Sequence, residues 1–131
     1  MNAEPRHVFV YGTLRPLLAT GEPQLLVETL QEDGPATVRG QLFDLGEYPG
    51  LIPGPGTVHG DLLAIAGDGQ LAALDAYEEC GPPHPLFRRE LATALRPNGS
   101  SVAVWLYRYC RPVTGAWLIA DGDYARHLHR R

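Results

Sequence analysis

The sequence predicts an α+β domain in which a sheet dominates and the helices are short. Three observations support this fold class. Compact β-branched and aromatic runs recur along the chain, two segments place apolar residues at helical spacing, and 15 glycines and 12 prolines separate these elements without any period. The 131 residues contain no internal repeat and no linker long enough to divide two domains, so we expect a single domain over residues 1–131.

The first predicted elements are a strand, a helix and a second strand. Residues 7–11 (HVFVY) form a β-branched and aromatic run that stops at Gly12, which predicts a buried strand. Residues 23–31 carry leucines spaced for one helical face, and the Gly-Pro sequence at 34–35 is expected to end this short helix. The apolar pattern over residues 36–45 predicts the second strand.

The following segments predict a loop and three more strands. Residues 46–56 (GEYPGLIPGPG) are so rich in glycine and proline that we expect a loop, whereas residues 58–66 (VHGDLLAIA) predict a strand. Residues 87–95 and 101–109 predict two paired strands, because the Pro-Asn-Gly sequence at 97–99 between them is a strong hairpin signal.

A second helix is predicted over residues 70–79 (QLAALDAYEE). Asp68 is expected to cap its start, and the Gly-Pro-Pro sequence at 81–83 must end it. Positions i, i+3, i+4 and i+7 of this helix share one face. They are occupied by Leu71, Leu74, Asp75 and Glu78. Since the two leucines are the only large aliphatic side chains of the helix, this face must point inward.

Glu78 is therefore the principal candidate for acid/base chemistry. A carboxyl group on the inward face, in the last turn of a helix, is opposed in its ionisation by burial and by the negative end of the helix dipole. A raised pKa suits a general acid/base near neutral pH. From the residues alone an alternative stays open, in which Glu78 forms a structural ion pair with Arg88 or Arg89. The adjacent Glu79 falls on the flank of the helix.

The loop after the first strand is the second candidate site. Tyr11, Gly12, Thr13, Leu14 and Arg15 follow the strand directly, and glycine permits a sharp turn in which successive N–H groups converge. Such a turn can bind a carboxylate. The alternative is an ordinary turn that ends the strand.

Composition excludes several classes of function. The chain has no lysine, which removes Schiff-base chemistry and the P-loop, and its two serines, Ser100 and Ser101, lie in a turn without a nucleophile elbow. A net charge of −4 gives no reason to expect nucleic acid or an anionic membrane as a partner. Short apolar runs and an N-terminus without a signal-peptide pattern lead us to expect a cytoplasmic protein.

Cysteine and histidine offer weaker candidates. Cys80 and Cys110 are expected to be free thiols, and a nucleophilic pair of Cys80 with His84 is one alternative to acid/base chemistry. The remaining histidines, including His127 and His129 in the arginine-rich tail, lack a recognised metal-ligand spacing. We therefore expect no metal site.

Six segments in order resemble the gamma-glutamylcyclotransferase-like family, most closely its small single-domain bacterial members, and they cover most of the chain. They are VFVYGTLR at 8–15, LGEYPGLIPGPGTVHGDL at 45–62, LDAYE at 74–78, LFRR at 86–89, VWLYRYCRP at 104–112 and DGDY at 121–124. The resemblance implies a small, mixed and mostly antiparallel β-barrel with flanking helices and a pocket at one mouth.

The resemblance also implies roles for individual residues. The glutamate of the LDxxE segment, the catalytic acid/base of the family, falls on Glu78, and Tyr107 corresponds to a pocket tyrosine. The loop that donates backbone N–H groups to the gamma-glutamyl group falls on Tyr11, Gly12, Thr13 and Leu14. The family often has glycine or another small residue after the glutamate, whereas this chain has Glu79, Cys80 and a longer, stiffer loop.

The implied reaction converts a gamma-glutamyl amine, amino acid or peptide to 5-oxoproline and a free amine, without cofactor or metal. The implied partner is this small substrate, and we expect a monomer or weak homodimer. Two alternatives are a non-catalytic binding module on the same fold and an enzyme that depends on Cys80. Residues 46–56 and 79–85 are expected to contact the leaving amine. Arg15, Arg88 and Arg89 are the cations expected near the pocket.

Overall fold

The computed structural model describes residues 4–81 and 85–130 of the chain. Three short helices and six strands follow one another within this part. Their order is β1 (His7–Val10), α1 (Glu22–Val27), β2 (Gln31–Asp44), β3 (Pro49–Ala64), α2 (Asp68–Tyr77), β4 (Phe87–Leu95), β5 (Ser101–Tyr109), β6 (Trp117–Leu118) and α3 (Tyr124–His129).

Five of these strands close into a barrel. Hydrogen bonds join them in the order β3, β1, β5, β4 and β2, and the pairing of β2 with β3 completes the ring. β1 and β5 are parallel, and every other pair in the ring is antiparallel. β6 adds to the end of β2 at Phe43 and Asp44. The predicted class, a mixed and mostly antiparallel barrel with short helices, is confirmed.

β1 is buried on both faces, which explains why its sequence is a continuous apolar run. Successive side chains of a strand point to opposite faces. Phe9 and Tyr11 belong to the cluster inside the barrel, whereas Val8 and Val10 belong to a second cluster on the outside of the barrel wall. Leu74 of α2 joins this outer cluster and is 1% exposed. Helix α2 therefore packs on this outer cluster through Leu74.

The helix predicted over residues 23–31 is shorter in the structure. α1 ends at Val27, and β2 already begins at Gln31. The Gly-Pro sequence at 34–35, which was expected to end the helix, lies within β2 at a register shift in its pairing with β3. Gly34 has a φ of 89°, a conformation that favours glycine, so a bulge accommodates both residues in the strand.

The prediction of a loop over residues 46–56 is wrong, because β3 begins at Pro49. A register shift interrupts the pairing of β3 with β2 between Ile52 and Thr57. Residues 53–56 (PGPG) lie in this interruption, where a proline needs no N–H for the ladder. The glycine and proline residues of this segment thus lie at a bulge within one long strand.

The hairpin predicted from the Asn-Gly signal is confirmed with its bounds, since β4 and β5 span the predicted residues. Its turn is closed by the N–H group of Gly99, which donates to the carbonyl oxygen of Arg96 at 2.9 Å. Gly99 has a φ of 89°. The register pairs Phe87 with Tyr109, so the start of β4 and the end of β5 lie side by side.

The C-terminal part of the chain contains two elements that the sequence did not predict. β6 pairs with β2, and α3 begins after Asp123, whose side chain accepts a hydrogen bond from the N–H group of Arg126. His127 of α3 places Nε2 2.8 Å from Oδ2 of Asp44, which ties the helix to β2. None of the helices in the described ranges has the length and apolar character that a bilayer span requires.

Candidate active site

A cavity of about 380 Å³ lies where β1 ends and the last turn of α2 meets the barrel. Its wall also includes Tyr48 and Phe87. Six of the residues predicted to serve in binding or catalysis line this one cavity. They are Tyr11, Gly12, Thr13, Leu14, Glu78 and Tyr107. The fold therefore brings the predicted residues together, and their roles stay predictions.

Helix α2 starts and ends earlier than the predicted 70–79. Gly67 is its N-cap, so Asp68 is the first helical residue and not the cap. The predicted inward face is confirmed, because Leu71 and Leu74 are both buried. The helix ends at Tyr77, which makes Glu78 its C-cap residue, with φ −83° and ψ 4°.

The chain leaves α2 through a tight turn at Glu79. The N–H group of Glu79 donates to the carbonyl oxygen of Ala76 at 3.2 Å, and that of Cys80 donates to Asp75 at 3.1 Å. This pair of bonds is a Schellman motif, whose central position normally holds glycine in the left-handed conformation. Glu79 occupies that position with a φ of 54°, as the single non-glycine residue with positive φ in the described ranges.

The carboxyl group of Glu78 is a largely buried acid. Within the described ranges, its side chain forms neither a hydrogen bond nor an ion pair, so the structural pair with Arg88 or Arg89 is not seen there. Burial, followed by the repulsion from Glu79, raises the pKa of Glu78 to about 7. A carboxyl group with this pKa exchanges protons readily at neutral pH, which is what a general acid/base requires.

The loop after β1 lines the same cavity. The carbonyl oxygen of Gly12 accepts the N–H group of Arg15 at 2.9 Å, which turns the chain. The N–H groups of Gly12, Thr13 and Leu14 donate to no acceptor in the described part of the chain. Three neighbouring donors of this kind suit a carboxylate ligand.

Gly12 is required for a steric reason and not for the conformational one that the sequence suggested. Its φ is not positive, but a Cβ atom at this position would lie 2.7 Å from Cγ of Pro49. This distance is well below van der Waals contact. The first residue of β3 therefore packs directly on the loop, and only glycine leaves room for it.

The hydroxyl group of Tyr11 fixes the start of this loop to two neighbouring strands. Its hydroxyl group donates to the backbone carbonyl of Tyr107 at 2.6 Å and accepts the N–H group of Leu51 at 3.3 Å. Burial, with the nearby charge of Glu78, raises the pKa of Tyr11 well above its ordinary value. Tyr11 thus stays neutral and joins β1, β3 and β5 beneath the cavity. Thr13 contacts the helix, with Oγ1 3.3 Å from the hydroxyl of Tyr77.

Tyr107 is fixed by a residue that the sequence did not single out as a site residue. Its hydroxyl group donates to Oδ1 of Asp75 at 2.7 Å, and Nε of Arg89 donates to the same oxygen at 2.9 Å. Burial and the bond to Asp75 raise the pKa of Tyr107. The sequence feature that could have identified Asp75 as a site residue is its position on the inward face of α2, three residues before Glu78.

The arginines that were expected near the pocket do not line it. Arg15 pairs with Asp61 at 2.9 Å and with Asp123 at 3.3 Å, and Arg89 pairs with Asp75. Arg88 faces Arg108 across the β4–β5 pair. The charged side chains of the described cavity wall are all acidic. They are Glu22, Glu78 and Glu79.

The thiol candidate, Cys80, lies in the turn that follows α2. Cys80 is half-buried, and burial, with the charges of Asp75 and Glu78, raises its pKa to about 12. His84 lies outside the described residues, so its relation to Cys80 stays a prediction. In residues 4–81 and 85–130, no group of three or more potential metal-ligating side chains is arranged to hold an ion.

Comparison with known proteins identifies the family. The family model described as gamma-glutamyl cyclotransferase, AIG2-like, matches residues 8–126. The chain is 38% identical over 117 residues to gamma-glutamylcyclotransferase family protein YtfP of Escherichia coli K12, a match that covers 89% of this chain and 94% of that protein.

Solved structures agree with this match. The solution structure of ytfP from Escherichia coli has a TM-score of 0.68 at 35% identity, with coverage of 92% of this chain and 97% of the other. The crystal structure of an AIG2-like protein from Mus musculus has a TM-score of 0.72 at 22% identity, with coverage of 93% and 89%, and shares the fold. The chain belongs to the gamma-glutamyl cyclotransferase, AIG2-like family.

Proposed function

We propose that this protein is a gamma-glutamylcyclotransferase-type enzyme. It cyclises the gamma-glutamyl group of a gamma-glutamyl amine, amino acid or peptide to 5-oxoproline and releases the amine. The observation that carries the proposal is the position of Glu78, a largely buried carboxyl group with a pKa of about 7 in the cavity that the donor loop also lines. Family membership supports the same assignment.

The loop at 12–14 binds the α-carboxylate of the substrate in this proposal. Its three backbone N–H groups donate to no acceptor in the described ranges, so a carboxylate supplies the acceptors that they lack. Anchoring this end fixes the α-amine near the side-chain carbonyl of the same gamma-glutamyl group. Such proximity contributes several kcal/mol, up to about 7–11 in the best intramolecular cases.

Glu78 moves the proton. The α-amine nitrogen attacks the side-chain carbonyl carbon, and the carboxylate of Glu78 takes the proton that this nitrogen loses. A new C–N bond closes the five-membered lactam. When the original C–N bond breaks, Glu78 returns the proton to the departing nitrogen, so atoms and charges balance with no oxidant or reductant. A pKa of about 7 lets one group serve both steps.

The acidic wall of the cavity suits this chemistry in a second way. The neutral amine is the nucleophile, and the α-ammonium group that precedes it is attracted to the carboxylates of Glu78 and Glu79. The ammonium group loses its first proton to solvent before the attack, so Glu78 is still a carboxylate when the C–N bond forms and accepts the second proton. The proposal requires a small-molecule substrate and no macromolecular partner.

A panel assay tests the proposal. Purified protein is incubated with gamma-glutamyl amines, gamma-glutamyl amino acids and gamma-glutamyl dipeptides, and 5-oxoproline is measured by mass spectrometry. We expect 5-oxoproline and an equimolar amount of amine from at least one class. A ligand-induced rise in melting temperature without product across the panel would instead support the binding module. Product formation that stops on thiol alkylation would support an enzyme dependent on Cys80.

A further inference from the structure

Asp75 joins the last turn of α2 to the barrel. Its Oδ1 accepts the hydroxyl group of Tyr107 on β5 at 2.7 Å and Nε of Arg89 on β4 at 2.9 Å. Arg89 is itself held in place, because its guanidinium lies 4.3 Å from the centre of the Trp105 ring. One carboxylate oxygen thus connects the helix to two neighbouring strands.

The backbone of Asp75 holds the same turn. Its carbonyl oxygen accepts the N–H group of Cys80, which closes the turn that follows Glu78. Glu78 in turn donates its N–H group to the carbonyl oxygen of Leu74, the neighbour of Asp75. A shift of Asp75 away from the barrel would therefore move Glu78 with it.

We propose that Asp75 is a positioning residue of the proposed cyclisation, which fixes Glu78 relative to the donor loop by tying the end of α2 to Tyr107 and Arg89. The inference rests on the proposed function. Asp75 does not line the cavity, so it acts through the helix and through Tyr107. The two bonds are charge-assisted and only partly exposed to water, and charge-assisted hydrogen bonds are stronger than neutral ones.

The first test compares three variants in steady-state kinetics. Asp75→Ala removes both bonds, whereas Asp75→Asn keeps an oxygen that can accept them. Glu90→Ala is the matched control, because Glu90 on β4 pairs with Arg108 on β5 at 3.1 Å. The two acidic side chains are equally exposed, at 32% for Glu90 and 31% for Asp75. Their arginine partners are 38% exposed for Arg108 and 26% for Arg89.

We expect Asp75→Ala to lower kcat about 10- to 100-fold, since a misplacement of about 1 Å costs up to about 100-fold in rate. Asp75→Asn should recover most of this loss, and Glu90→Ala should keep wild-type kcat. Equal losses in Asp75→Ala and Glu90→Ala would show a general effect on the fold and overturn the inference. So would wild-type kcat in Asp75→Ala, or an Asn variant as impaired as the Ala variant.

A second readout does not depend on activity. With 13C-labelled glutamate, NMR follows the titration of the Glu78 carboxyl group, whose other titratable neighbours are Glu79, Cys80 and the tyrosines Tyr11, Tyr48 and Tyr77. In Asp75→Ala, a loosened turn admits water and moves the midpoint from about 7 towards the ordinary 4.5. Asp75→Asn and Glu90→Ala should keep the wild-type midpoint. An unchanged midpoint in Asp75→Ala overturns the inference, even if the wild type forms no 5-oxoproline and the proposed function itself fails.

Discussion

Glu79 holds the left-handed backbone conformation, with a φ of 54°, directly after Glu78, whose side chain lines the cavity. The two adjacent carboxylates have different surroundings, because Glu78 is largely withdrawn from water and Glu79 is exposed. The exposed charge opposes the ionisation of the buried one. A buried carboxyl group with a raised pKa is typical of an acid/base site.

Glu79 is expected to have two separate effects. Its left-handed backbone conformation lowers the stability of the protein, and its charge raises the pKa of Glu78. Glu79→Gly relieves a backbone cost of about 1–2 kcal/mol for a residue with a side chain, so we expect it to raise the free energy of unfolding relative to Glu79→Gln. Both variants remove the charge and should lower the pKa of Glu78, seen as an acid shift of the pH–rate profile. Urea unfolding and pH–rate curves measure the two effects. A Gly variant less stable than the Gln variant would contradict the account.

The raised pKa of Glu78 predicts how stability depends on pH. The folded pKa is about 7 against an ordinary 4.5, so the native state holds an extra proton between these values. The contribution of Glu78 to the free energy of unfolding is therefore greatest below pH 4.5, the pKa of the group in the unfolded chain. This contribution is lost as the pH rises through the folded pKa of about 7, and the loss amounts to about 3 kcal/mol.

Glu78→Gln removes this dependence, because glutamine does not ionise. We expect Glu78→Gln to gain free energy of unfolding relative to the wild type when both are compared at about pH 8 and not at about pH 5. Denaturant titrations at the two pH values measure the difference. An equal difference at both would show that Glu78 is not held protonated by the fold.

The close approach of Pro49 predicts that Gly12→Ala is harmful. The added Cβ lies 2.7 Å from the proline ring, so the donor loop must move, at a cost of about 1–3 kcal/mol for an overpacked site. We also expect a higher KM, because the N–H groups are displaced. Gly69→Ala on α2 is the control, since no heavy atom lies within 4 Å of its Cβ and alanine favours a helix. Equal stability and equal KM in Gly12→Ala and Gly69→Ala would argue against a close fit between the donor loop and Pro49.

The high pKa of Cys80 predicts an unreactive thiol. With its pKa raised to about 12, almost none of it is thiolate at neutral pH. In a Cys110→Ser background, where Cys80 is the remaining cysteine, iodoacetamide should react slowly and leave 5-oxoproline formation intact. Mass spectrometry follows the alkylation. Rapid labelling together with loss of product would favour the enzyme dependent on Cys80.

Helical periodicity was sufficient to place Glu78. Two leucines of α2 could bury themselves in only one direction, and the fixed angle between residues carried Glu78 to the same side. β1 was equally predictable, because a strand buried on both faces must be apolar throughout. The turn of the β4–β5 hairpin followed from the left-handed conformation that Gly99 supplies.

Other features depended on contacts that local sequence does not encode. The proline- and glycine-rich segment before Thr57 belongs to a strand, because a bulge against β2 removes the need for ladder hydrogen bonds there. Asp75 acquires its role from Tyr107 and Arg89, which are 32 and 14 residues away in the chain. The need for glycine at position 12 came from the packing of Pro49, a tertiary contact.

The most direct test of the central claim is the rate of 5-oxoproline formation by the wild type and by Glu78→Gln, on the substrate that the panel identifies. We expect Glu78→Gln to lose about 100- to 10,000-fold in kcat, the usual contribution of a general acid/base, with an unchanged circular dichroism spectrum. Glu28→Gln, at an exposed position, should keep wild-type kcat. Undiminished turnover in folded Glu78→Gln would contradict the account.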